Sequence, residues 1–283
     1  MKEIHIKIID KMKSLLFLYF CVAMAFSAMA SSVSDTYVIP NPQQMVCGDS
    51  HFVLRAQASF SCNLTGTDKD DFVSYVSNSP LSLIYKKKGK ADIAFKLVSP
   101  ENAKMKEEAY RLKVTKKGIQ AEATSASGLF YAFQSIVQLA RESGNDTYQL
   151  PEVTIEDAPR FSYRGMHLDV SRHFYTKEFV KKQIDALARY KLNRFHWHLT
   201  DGAGWRIEIK KYPELTRETA YRPFPDWKSW WNGGRTYCRQ DAPGASGGYY
   251  TQEDVKEIVE YARQRHITVI PEIEMPAHSE EVL

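Results

Sequence analysis

Apolar and polar positions alternate in two adjacent stretches of the chain. Tyr110, Leu112 and Val114 are separated by Arg111 and Lys113, and Ile119, Ala121 and Ala123 by Gln120 and Glu122. A period of two on both sides of Lys117-Gly118 predicts a β-hairpin with one buried face. Ser125 can then cap a helix whose apolar positions include Leu129, Phe130, Phe133, Ile136, Val137 and Leu139, a spacing near 3.6. Shorter apolar runs around 52–54, 81–85 and 93–97 predict further strands. Residues 31–157 therefore read as a small α+β unit, and nothing in it clusters catalytic residue types.

Beyond Pro159 the period changes repeatedly. A strand is predicted over 165–170, then a helix opened by Thr176 that carries Phe179, Val180, Ile184, Leu187 and Ala188. A second strand follows over 194–199. Thr251 and Asp254 have capping-box spacing ahead of a helix with Val255, Ile258, Val259 and Ala262, and a strongly apolar strand follows over 267–273. Repeated βα units predict a parallel sheet, either barrel or doubly wound. The polar residues favour the barrel. Asp169 and Arg172, His198 and Asp201, and Glu274 and His278 each fall just after a strand, where (β/α)8 barrels carry their sites. No Gly-x-Gly-x-x-Gly loop follows the first strand, as a dinucleotide-binding sheet would require. Residues 158–283 hold three such units, whereas a full barrel takes roughly 250 residues. The expectation is an α+β domain followed by the first part of an α/β (β/α)8 TIM barrel, incomplete in this chain.

The N-terminus changes the picture only by being set apart. Lys11 and Lys13 precede an apolar run over 15–26 and the small-residue pattern Ala28, Met29, Ala30, so residues 1–30 read as a secretory signal peptide too short to span a bilayer. The expected location is periplasmic, outer-surface or extracellular, with no membrane span in the mature protein. The formal net charge of +4 includes +2 from this leader (Lys2, Lys7, Lys11 and Lys13 against Glu3 and Asp10), leaving +2 for the rest. So small a charge gives no reason to expect nucleic acid. Export permits a disulfide, for which Cys47 and Cys62 are the sequence-local pair, with Cys238 left over as a small buried residue.

Three clusters could carry chemistry. The arginines of the group Arg164, Asp169 and Arg172 could offer donor forks to sugar hydroxyls or a carboxylate, or the three could form ion pairs that brace a barrel. His196 and His198 share one strand face. They could bind a metal, but no third ligand is evident, so no metal or cofactor is expected; a histidine–carboxylate network with Asp201 is the simpler reading. Glu272 and Glu274 also share a face, where like charges would raise one carboxyl; they read as a glycosidase acid/base pair or as partners of cations or hydroxyls. All five tryptophans lie between Trp197 and Trp231, four of them after the second strand. Trp205, Trp227, Trp230 and Trp231 could face pyranose rings or fill the core of the long loop they occupy.

The runs RGMHLDVSRHF from Arg164, HWHLTDGAGWR from His196 and PEIEMPAH from Pro271 together resemble family 20 glycoside hydrolases, the β-N-acetylhexosaminidases. Residues 108–139 are similar to the small domain that precedes the barrel in that family. The resemblance implies removal of terminal, non-reducing N-acetyl-β-D-hexosamine (GlcNAc or GalNAc) from glycans by substrate-assisted, retaining catalysis. Residue by residue, it implies that Arg164 binds sugar hydroxyls and that Asp201 and His278 relay to a general acid/base glutamate. Glu274 stands where the family usually has a supporting aspartate, and Trp205 belongs to the substrate site. The catalytic Asp-Glu pair belongs on a fourth strand, so this chain is expected to lack it, to be inactive alone and to be poorly soluble. The alternative is a non-catalytic sugar-binding fragment or protein. The sequence departs from the family pattern at Gly202, Ala203 and Ala277.

Overall fold

The structure is a computed structural model that describes residues 36–103 and 105–282. The leader reading over 1–30 lies outside the described residues. No helix among the described residues is long and apolar enough to cross a membrane.

The first half builds a mixed sheet. Its strands are β1 (Gln44–Arg55), β2 (Ser59–Cys62), β3 (Ile84–Tyr85), β4 (Ile93–Leu97), β5 (Tyr110–Thr115), β6 (Gly118–Ala123), β7 (Arg141–Glu142) and β8 (Thr147–Asp157). They run in the order β1-β8-β5-β6-β4-β2-β3, with β7 on β8. The predicted hairpin is β5–β6, pairing Tyr110 with Ala123 and Val114 with Ile119. Helices α1 (Gly66–Ser77), α2 (Pro100–Ala103) and α3 (Ala126–Leu139) complete the unit. The Ser125 side chain accepts from the Gly128 N–H and caps α3, whose buried residues include Leu129, Phe130, Phe133 and Ile136. The cysteines Cys47, Cys62 and Cys238 are free thiols.

In the second half a parallel sheet has β10 (Arg194–His198) between β9 (Gly165–Asp169) and β15 (Thr268–Glu272). Helix α4 (Lys177–Arg189) connects the first two strands, and α7 (Gln252–Arg263) precedes the third. Thr176 caps α4, and Thr251 with Asp254 closes the predicted capping box on α7. Phe195 and Trp197, both without exposure, turn to the face that shares a core with Val180, Ile184, Leu187, Ile258 and Ala262 of the two helices. Alternation sends His196 and His198 to the opposite face.

Residues 200–251 are ordered by short elements: the ribbon β11 (Thr200–Asp201) with β12 (Gly204–Trp205), the pair β13 (Tyr221–Arg222) with β14 (Ser246–Gly247), α5 (Glu214–Thr219) and α6 (Trp227–Asn232). Two buried arginines hold them. Arg206, 1% exposed, donates to the carbonyls of Ser171, Ala203, Ala220 and Gly248. Arg222 donates to the carbonyls of Ala203 and Arg172. Burial lowers Arg206 to about 9, with the Arg222 charge acting in the same direction. Gly247 (φ 149°) is required here, since a Cβ would stand 2.2 Å from the Ala220 carbonyl.

The base of the parallel sheet is tied to the mixed sheet through Arg164. Its guanidinium donates to Glu108 Oε2 at 2.9 Å, to Oε1 at 3.3 Å, and to the carbonyls of Lys191 and Phe161. Asn193 Nδ2 donates to the same carboxylate at 3.1 Å, while Lys191 Nζ, 6% exposed as a residue, reaches Tyr110 Oη and Asp157. This corrects the expectation that Arg164 binds sugar hydroxyls. Arg164 precedes β9, at the end away from the rim, and its donors are committed to the interface beneath the sheet.

Arg164→Ala would leave the half-buried Glu108 carboxylate without its cation, and a stability loss of about 2 kcal/mol is expected from urea unfolding. Arg164→Lys should recover little of it, because an ammonium cannot reproduce the fork. An unchanged midpoint for Arg164→Ala would contradict this bracing role. Thr251→Ala, which opens the capping box on α7, should cost about 1 kcal/mol in the same assay.

Candidate active site

Strand register assembles the site. His198 on β10 lies level with Asp169 on β9 and Glu272 on β15, and His196 lies level with His167. Side chains two apart share a face. The inner face of the sheet thus carries His167, Asp169, His196, His198 and Glu272 in one patch.

At the rim, Asp169 accepts from the backbone N–H groups of Ser171 and Arg172 and from Arg172 Nη1 at 2.8 Å. Burial works to raise this carboxyl, but the backbone and side chain of Arg172 and the nearby His198 outweigh it and hold it below the usual carboxylate range. Arg172 also bridges to Asp201, with Nη2 2.6 Å from Oδ2. That oxygen has no well-angled hydrogen-bond donor. It is neutralised as an ion pair and remains short of a proton donor. His278 Nδ1 stands 3.4 Å from the same oxygen and His198 Nε2 3.6 Å from it. Asp201 is buried, its side chain 8% exposed, whereas His278 is 58% exposed on a turn with φ 53°. The chain thus places a buried anion behind an exposed imidazole.

Below the rim, Glu272 Oε2 lies 2.7 Å from His196 Nε2, 3.2 Å from His167 Nε2 and 3.9 Å from His198 Nδ1. Burial pushes its carboxyl up, but the hydrogen bond with Glu274 and the three histidines outweigh burial and bring it below its ordinary value. Glu272 is therefore not raised by like charge, since the Glu274 hydrogen bond and the histidines favour its charged form. Glu274 joins the site through this bond and through its backbone N–H, which donates to Thr200 Oγ1 at 2.9 Å.

Trp205 corrects a second expectation. Its indole is buried (4% exposed) and donates to the Ile207 carbonyl, so it fills the base of the β11–β12 ribbon and is unavailable to a sugar. Trp230 is buried as well, donating to the Thr236 carbonyl, while Trp227 and Trp231 face outward. Sequence reasoning passed over His167, although its spacing from Asp169 on one strand was a readable signal. Two clefts, of about 700 Å³ and about 610 Å³, lie at the base and flank near Asn193 and Tyr75, away from this face.

With the geometry established, the comparisons are specific. The glycosyl hydrolase family 20 catalytic-domain model matches residues 161–283, and the model for domain 2 of that family matches residues 35–158. The β-hexosaminidase of Vibrio furnissii is 39% identical over 256 residues, covering 88% of this chain and 39% of the relative. The β-hexosaminidase of Porphyromonas gingivalis is 47% identical over 181 residues, which cover 62% of this chain and 21% of that protein. Among solved structures, an exo β-N-acetylglucosaminidase from Vibrio harveyi in complex with N-acetylglucosamine aligns at a TM-score of 0.73 with 34% identity, over 89% of this chain and 39% of its own. The β-N-acetylhexosaminidase of Bacteroides fragilis gives 0.71 and 33%, over 88% of this chain and 47% of its own. The chain spans less than half the length of these relatives. Its mixed sheet is the family's domain 2 and its parallel sheet is part of the catalytic TIM barrel. The chain belongs to glycosyl hydrolase family 20.

Proposed function

We propose that this chain is the N-terminal portion of an exported β-N-acetylhexosaminidase that removes terminal, non-reducing N-acetylglucosamine or N-acetylgalactosamine from glycans. The observation that carries the reading is the Arg172–Asp201–His278 constellation at the rim. Asp201 sets the orientation of His278 through Nδ1, which leaves Nε2 to hydrogen-bond a catalytic carboxyl and keep its proton affinity in a working range. The carboxyl itself is a glutamate of an Asp-Glu pair on the following strand of the parent enzyme. Its aspartate polarises the substrate's 2-acetamido group, whose oxygen attacks the anomeric carbon while the glutamate protonates the leaving oxygen. Arg172 takes the hydroxyl-binding part that the resemblance had assigned to Arg164. It stands at the rim, anchored by Asp169 and Asp201, with its fork fixed for a diol. Export through residues 1–30 belongs to the same proposal.

Glu281 is the other carboxyl near the relay. It is 4% exposed with both oxygens unpartnered, and burial, with the Asp201 and Glu280 charges, raises it to about 7. A folded-state value above the unfolded one means the folded chain binds the proton more tightly. Stability should therefore fall as pH rises from about 5 through 7. Glu281→Gln should flatten that slope in thermal melts taken across the interval. An unaltered slope would place the titration on another group.

The 283-residue chain should not hydrolyse a chromogenic N-acetyl-β-D-glucosaminide, and the parent enzyme should. In the parent, Arg172→Ala is expected to lower kcat/KM about 100-fold, the worth of a charged hydrogen bond of roughly 3 kcal/mol. Arg164→Ala should leave kcat/KM per folded molecule near wild type. Hydrolysis by the chain alone, or the reverse ranking of the two arginines, would overturn the assignment.

A further inference from the structure

We propose that His167, His198 and Glu272 form a binding site for a divalent transition-metal cation of the zinc class, on the inner face of the parallel sheet below the rim. The inference goes beyond the glycosidase reading and does not depend on it.

The three residues come from three adjacent strands, and one ligand atom of each lies within 4.8 Å of the other two. Two imidazoles and one carboxylate are the donor set of open zinc sites, which leave a fourth position to water. Sequence alone showed two histidines of one strand and no third ligand. Register supplies the missing ligands from the neighbouring strands, and it replaces His196 by His167 as the second imidazole.

Two further features fix the donors. His198 Nε2 lies 2.8 Å from the Thr200 carbonyl, to which it can only donate. That contact keeps a proton on Nε2, so Nδ1, on the side of Glu272 and 3.9 Å from Oε2, is the nitrogen a cation would use. A ligating histidine held by its other nitrogen to a backbone carbonyl is the usual outer support of a metal site. On the carboxylate side, His196 Nε2 lies 2.7 Å from Glu272 Oε2 and orients it without being one of the three ligands.

The geometry needs little change. Tetrahedral zinc ligands at about 2.1 Å stand roughly 3.4 Å from one another. His167 and Glu272 are already 3.2 Å apart. The widest separation has to close by about an ångström or so, through rotation of the His167 ring, which is 47% exposed.

The test uses cobalt(II) alone as the probe. The purified chain is stripped with chelator, titrated with Co²⁺ and followed by visible absorption, with Zn²⁺ added last. The expected result is one Co²⁺ per chain with intense bands of tetrahedral type, abolished by Zn²⁺. His167→Ala and Glu272→Gln should each weaken binding at least about 10-fold, and His196→Ala by about 10-fold, as for a supporting residue. His173→Ala, whose ring packs on Tyr175, should leave it unchanged. In case a variant fails to fold, ring-nitrogen NMR of the unaltered chain gives a second reading, in which Zn²⁺ should shift His167 and His198 and spare His173. No saturable binding, the faint bands of octahedral cobalt, or Zn²⁺ shifts confined to other histidines would overturn the proposal and leave the histidines as hydrogen-bond partners of Glu272.

Discussion

Three parallel strands in register, with side chains alternating between faces, set the terms for everything above them. On the outer face Phe195, Trp197, Val269 and Leu168 meet the two helices. The same alternation forces histidines and carboxylates onto the inner face, because each apolar residue directed outward sends its neighbour inward. A one-residue slip of β10 would bury His196 and His198 among the helices and expose Trp197. The apolar burial that stabilises the sheet therefore also fixes the position of every titratable group in the site. The chemistry is placed by packing, with no separate scaffold needed to hold it.

Such concentration of charge is sustainable only if each buried ion is answered. Asp201 lies beside Arg172, and the exposed His278 closes over it. Arg206 and Arg222 solve the opposite problem. They are buried cations whose hydrogen bonds run to backbone carbonyls, so they work as crosslinks for residues 171–248. The Asp169 charge favours the charged form of Arg206, so the crosslink and the rim carboxylate support each other. The loop that carries the rim is thus held by the same side chains that balance the rim's electrostatics. A loop of that length would otherwise be expensive to order.

Much of the fold was legible because its signals are local. The β5–β6 hairpin, the Ser125 cap and the Thr251–Asp254 box each rest on residues within a few positions of one another. The parallel strands were legible as apolar runs after helices. The site was legible to the extent that its residues follow strands, which is how Asp169, Arg172, Asp201, Glu274 and His278 came into view. The rest depends on partners far apart in sequence. Glu108 holds Arg164 across 56 positions and Asn193 across 85. His167 meets Glu272 across 105. No periodicity encodes such pairings. Trp205 misled for a related reason: an aromatic beside a motif carries the same letter whether it faces a sugar or the core, and only the ribbon pairing with Thr200 decides.

The two arginines of the first motif show how far position outweighs type. Arg164 and Arg172 flank one strand of five residues, and at about 3.3 Å per residue the strand separates its two ends by roughly 16 Å. Both find carboxylates, both sit in a family motif, and both offer the same fork. At the foot of β9 the fork meets a carboxylate and carbonyls of the domain interface, so its donors are used up in holding two layers together. At the head it meets two aspartates that themselves stand at an open rim. An ion pair in the first place can contribute only to stability. In the second it stands at the rim, where the proposed contact with a sugar diol would be made. Strand direction is what divides a brace from a binding group here, and strand direction follows from the right-handed βα connection that the helix-covered outer face imposes.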